Sequence, residues 1–70
     1  MADVTMPMNG KVIAVKTEVG QTVEEDAELV IIEAMKMELP VVATEAGTVK
    51  EIKATVGQSY QTGDVLVVVG

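Results

Sequence analysis

Gly10-Lys11-Val12-Ile13-Ala14-Val15-Lys16-Thr17-Glu18-Val19-Gly20-Gln21-Thr22-Val23 decides the fold, because its pattern returns 37 residues later, where Gly20 meets Gly57. In that register Gly10 falls on Gly47, Val12 on Val49, Val15 on Ile52 and Lys16 on Lys53. Val19-Gly20-Gln21 falls on Val56-Gly57-Gln58, Thr22 on Ser59 and Val23 on Tyr60, and Leu29 to Ile32 meets Leu66 to Val69. No gap is needed. A register kept through glycines, turns and apolar positions marks a duplicated supersecondary unit, here residues 4 to 33 and 41 to 70. Two copies are too few to stack as a solenoid, so the halves are expected to close on each other around one core.

The elements of the unit are strands. Valine fills 14 of the 70 positions and isoleucine four more, a composition suited to a pleated surface. Short apolar runs (Lys11 to Val15, Leu29 to Ile32, Val49 to Ile52, Val65 to Val69) alternate with turn signals at Asn9-Gly10, Val19-Gly20, Ala46-Gly47, Val56-Gly57 and Gly63-Asp64. That spacing predicts a small all-β sandwich or flattened barrel. Val12 and Val15, like Val49 and Ile52, stand three apart, which breaks two-residue alternation. A bulge or corner between them restores both to the core side and is expected to let one strand serve both sheets.

Bulk properties narrow the function. Seventy residues form one small domain, residues 1–70, burying only about 60% of the surface of its unfolded chain, which favours a presenting or binding module over an enzyme with a walled cleft. Without cysteine or histidine there is no disulfide, thiol nucleophile, zinc site or imidazole base. The acidic run Glu24-Glu25-Asp26 lacks the glycine and ligand spacing of a calcium loop and reads as a solvated turn, so no metal is expected. A net charge of -6 opposes nucleic acid and anionic membrane surfaces. The apolar runs are strand-sized, so neither a signal peptide nor membrane insertion is expected, and the cytoplasm is the default compartment.

Between the two copies lies Glu33-Ala34-Met35-Lys36-Met37-Glu38, which has no counterpart in the repeat. Extended segments on either side (Ile31-Ile32 and Leu39-Pro40-Val41-Val42) must turn back as a tight hairpin with Lys36 near its tip, in water. An exposed lysine alone is commonplace, and methionines usually fill core gaps. Two methionines flanking a lysine at a loop tip cannot both reach the core, which suggests a contact surface. On residue chemistry alone, a functional tip and an ordinary hairpin both stand open.

Glu33-Ala34-Met35-Lys36-Met37 resembles the attachment motif of biotinyl domains, the biotin carboxyl carrier family. The resemblance covers nearly the whole chain. It implies a flattened barrel of two four-stranded antiparallel sheets with internal quasi-twofold symmetry, the modified lysine lying on a hairpin between the halves. It further implies that Lys36 carries covalent biotin, that Met35 and Met37 contribute to ligase recognition or carboxyl transfer, and that Ala34 and Glu33 complete the motif. Two departures stand away from the tip. Relatives often have a glycine at Asp26, and often a second proline within Met6-Pro7-Met8-Asn9. Halves of equal length leave no room for the thumb loop of one acetyl-CoA carboxylase type.

The resemblance implies a swinging-arm carrier, not a catalyst, serving a biotin-dependent carboxylase, transcarboxylase or decarboxylase. Its partners would be biotin protein ligase, biotin carboxylase, and a carboxyltransferase or decarboxylase. Tethering makes each encounter local. The repeat places Gly70 at the position of Glu33 and Asp3 at that of Pro40, so the chain ends should meet at the pole opposite Lys36. Three other readings remain: a lipoyl carrier, whose tip usually reads Asp-Lys-Ala, an unmodified interaction module, and an enzyme using Lys36 with Glu33 or Glu38. The last needs a desolvated lysine, which an exposed tip does not provide.

Overall fold

The computed structural model describes residues 2–70; Met1, the first residue of the expected 1–70 domain, lies outside the described residues. Each turn signal of the repeat ends a strand: β1 Ala2–Thr5, β2 Gly10–Val15, β3 Thr22–Val23, β4 Glu28–Ala34, β5 Met37–Val42, β6 Gly47–Ile52, β7 Ser59–Tyr60 and β8 Val65–Val69. Two four-stranded sheets result, ordered β1-β8-β6-β3 and β5-β4-β2-β7, with all pairings antiparallel. Replacing each strand by its repeat partner (β1 with β5, β2 with β6, β3 with β7, β4 with β8) converts one order into the other. That exchange is the expected quasi-twofold symmetry.

The halves are interlocked rather than stacked. β3 of the first copy pairs with β6 of the second (Thr22 with Thr48, Val23 with Gly47), and β7 pairs with β2 (Gly10 with Tyr60, Lys11 with Ser59). With β1 paired to β8 and β5 to β4, each sheet holds two strands of each half.

The expected bulges are present, with register shifts between Val12 and Ala14 in β2 and between Val49 and Glu51 in β6. They bury Val12 and Val49 while packing Val15 and Ile52 against the same core. The expected corner is not formed: β2 bends but stays within one sheet, because the exchanged strands β3 and β7 already link the two sides. Met6, Leu29, Val30, Ile32, Leu66, Val67 and Val69 fill the space between the sheets. Thr17, the buried polar residue, hands its hydroxyl hydrogen to Gln21 Oε1 at 3.2 Å.

β8 begins beside the loop ahead of β2, where the Met6 N–H donates to the Asp64 carbonyl (2.8 Å) and the Gly63 N–H to the Met6 carbonyl (2.9 Å). It runs from there to Val69, which pairs with Ala2, and Gly70 exchanges hydrogen bonds with Thr48. The chain ends thus lie together, at the pole away from the β4–β5 turn. No helix of the described residues is long and apolar enough to cross a membrane.

The β3–β4 and β7–β8 links are tight turns closed by Ala27 N–H to Glu24 O (3.0 Å) and Asp64 N–H to Gln61 O (3.0 Å). The third residue of each is left-handed, Asp26 at φ 71° and Gly63 at φ 93°, as a type II turn requires. Aspartate tolerates this region better than most residues, which explains its presence where the other copy has glycine. A Cβ on Gly63 would meet nothing within 4 Å, so any penalty there is purely conformational. Gly63→Ala is expected to lower stability by about 1 kcal/mol, and Gly63→Asp by less, in urea unfolding. Equal losses would show that left-handed strain does not select residues at this turn.

Candidate functional site

β4 and β5 pair up to Glu33 with Glu38 and Ala34 with Met37, leaving only Met35 and Lys36 to make the turn. Both have positive φ, 54° and 64°, the geometry of a type I′ hairpin whose twist matches that of the strands it joins. Such turns normally use Asn-Gly. A long L side chain in this region costs about 1–2 kcal/mol, and two successive ones persist only because the strand pairing beneath dictates them.

The backbone turns so sharply that neighbouring side chains have nothing to pack on. Met35 is 87% exposed and Met37 60%, and Lys36 between them is exposed as well. Ala34 is buried beneath the tip, whereas Glu33 is exposed in the row Lys11, Glu33, Glu38 that crosses β2, β4 and β5. All five residues expected at the tip are therefore brought together, four of them facing water and Ala34 serving as the footing.

Gly10 fixes the footing from below. A Cβ there would lie 2.7 Å from the Glu33 carbonyl oxygen and 3.2 Å from Ala34 Cβ, so only glycine lets β2 pass this close to the base of the hairpin. Beside the hairpin lies an open groove of about 520 Å³ lined by Asn9 to Lys11 of the central strand β2 and, from the strands paired on either side of it, Glu33 to Met35 and Ser59 to Gln61. Asn9, Tyr60 and Gln61 were not among the expected site residues. Their signal in the sequence is a change of size or polarity from their repeat partners Ala46, Val23 and Glu24.

Residues 2–69 match the biotin/lipoyl attachment family, described as "Biotin-requiring enzyme". The chain belongs to this family. It is 46% identical over 63 residues to the biotin carboxyl carrier protein of Streptococcus mutans, covering 90% of this chain and 48% of that one. It is 41% identical over 63 residues to the biotin/lipoyl attachment protein of Bacillus subtilis, covering 90% and 86% of the two chains. Among solved structures, the urea carboxylase of Kluyveromyces lactis superposes with a TM-score of 0.93 at 32% identity, covering 99% of this chain and 6% of that one. The chain thus spans about half of the first of these family members and a small part of the carboxylase. Its two four-stranded antiparallel sheets are the fold expected of the family.

Proposed function

We propose that the chain is a biotin carrier in which the Lys36 amine forms an amide with the biotin carboxyl group, residues 1–70 acting as one biotinyl domain. One observation carries the reading: in a member of this family, Lys36 occupies a strained two-residue turn and projects between two exposed methionines. Displayed this way, the amine can enter another protein's active site without any rearrangement of the sheets. In the attachment step its nitrogen bonds to the biotin carbonyl carbon of an activated adenylate, AMP leaves, and the amine gives up a proton.

Met35 and Met37 offer adaptable apolar contacts to the ligase and to later partners, Ala34 anchors the turn, and Glu33 marks its charged base. Biotin, when bound, supplies a ureido nitrogen that accepts a carboxyl group. The chain contributes position and effective concentration rather than catalysis, bringing the arm to a biotin carboxylase and then to a carboxyltransferase or decarboxylase. A cytoplasmic location is part of the same proposal. Its carboxylase relatives include the human propionyl-CoA carboxylase alpha chain and the Staphylococcus aureus pyruvate carboxylase, which motivates the partner assignment.

The expected result is a gain of one biotinyl mass when the domain is incubated with biotin protein ligase, ATP and biotin, mapped to the peptide containing Lys36. A second reading, lipoylation, has support in the name of the Bacillus subtilis relative, a biotin/lipoyl attachment protein. A lipoyl adduct formed under matched conditions, without a biotinyl one, would replace the first reading by the second.

A further inference from the structure

The repeat supplies an internal control. Paired positions share a backbone environment, so surface differences between the copies are not dictated by the fold. Beside the Lys36 hairpin lie Met8 and Asn9 with Gln61, Thr62 and Gly63, whereas their counterparts at the chain-end pole are Glu45 and Ala46 with Glu24, Glu25 and Asp26. Four acidic positions at the far pole thus carry no charge near the hairpin. Asp64, standing for Ala27, is the exception, and its carboxylate accepts the Gln61 N–H at 2.8 Å.

What replaces the acids is organised. Asn9 Oδ1 accepts from the Thr62 N–H (2.9 Å) and the Thr62 hydroxyl (3.2 Å), a tie that Ala46 and Glu25 cannot make. Tyr60, the lone aromatic, stands where the other copy buries Val23. Its hydroxyl accepts from the Thr55 N–H at 2.8 Å and donates to the Lys53 carbonyl at 3.3 Å, which fixes the ring along the groove. The rim adds one charge of each sign, Lys11 and Glu33.

We propose that the groove over Asn9–Lys11, between Glu33–Met35 and Ser59–Gln61, is a resting cradle for the bicyclic ureido ring of biotin carried on Lys36. The inference rests on the proposed biotinylation. The Tyr60 ring, with the Gln61 amide and the Ser59 hydroxyl beside it, suits a group that has an apolar face and an N–H/C=O edge. Met35 lines the end of the groove next to the tether, so the ring is held at an effective concentration of roughly millimolar, enough to populate a weak site.

The test compares amide chemical shifts of the ¹⁵N-labelled domain before and after biotinylation, with full incorporation on Lys36 verified by intact mass. Expected are shifts at Gly10, Ser59, Tyr60 and Gln61 as well as at the tip, none at the far-pole residues Thr22 to Glu24, and a change in tyrosine emission. Tyr60→Val, which restores the residue of the other copy, and Gln61→Glu, which restores its acid, should each reduce the groove shifts at least twofold. Should Tyr60→Val fail to fold, the exposed Gln61→Glu decides. Shifts confined to Ala34 to Glu38 at full incorporation, or undiminished groove shifts in Gln61→Glu, would overturn the cradle. Failure to incorporate biotin would overturn the carrier reading itself and the cradle with it, and the mass spectrum separates that failure from the other.

Discussion

Lys36→Arg is expected to give a folded domain that takes up no biotin. Arginine keeps the charge and much of the length, and the side chain is exposed, so unfolding should change by less than about 0.5 kcal/mol. The guanidinium stays protonated and offers no free amine electron pair, so attachment should fall below detection by intact mass. The comparison also tests selection among lysines. Lys11, Lys16, Lys50 and Lys53 are exposed too, but two lie within β2 and β6 and the other two directly follow those strands. None sits on a left-handed turn. Biotin appearing on Lys36→Arg would mean that exposure alone selects the lysine, and the hairpin would lose its assigned role.

The second large effect is in the core. Leu29 and Leu66 are repeat partners and both are fully buried. Leu29→Ala and Leu66→Ala should each destabilise by about 3–5 kcal/mol, combining lost transfer energy with a residual cavity. A 70-residue domain has in total roughly 4–10 kcal/mol to lose, so either variant should forfeit a large part of its stability and melt at a markedly lower temperature. Circular dichroism melts would show this. The two losses should agree to within about 1 kcal/mol if the quasi-twofold symmetry extends to energetics. A much smaller effect at one site would mean that its half of the core collapses around the cavity.

The strands of the repeat were legible because a buried sheet imposes its period on the chain, and the duplication wrote that period twice. Val12 with Val15 and Val49 with Ile52 even announced the bulges. The exchange of β3 and β7 between sheets was not legible, since each is two residues long and its partner lies far away in sequence, so no local pattern records it. At the hairpin, residue types pointed to Lys36, Met35 and Met37, but Met35-Lys36 carries none of the usual chemistry of a left-handed turn. The geometry comes from the paired strands instead. The groove was hidden for a related reason: Asn9, Met35 and Tyr60 come from three separate segments, and only packing makes them neighbours.

The pairing of β1 with β8 also bears on how the molecule is born. Among the described strands β1 has only β8 as its partner, although nearly the whole domain separates them in sequence, and β3 must wait for β6. The sheet holding β1 cannot close until β8 is made, and the sheet carrying the hairpin cannot close until β7 is made. Non-local pairing of this kind folds on a timescale of roughly milliseconds to seconds. Until β7 docks on β2, the sheet beneath Met35 and Lys36 is incomplete. A ligase that reads the shaped turn would thereby favour domains whose hairpin sheet has closed.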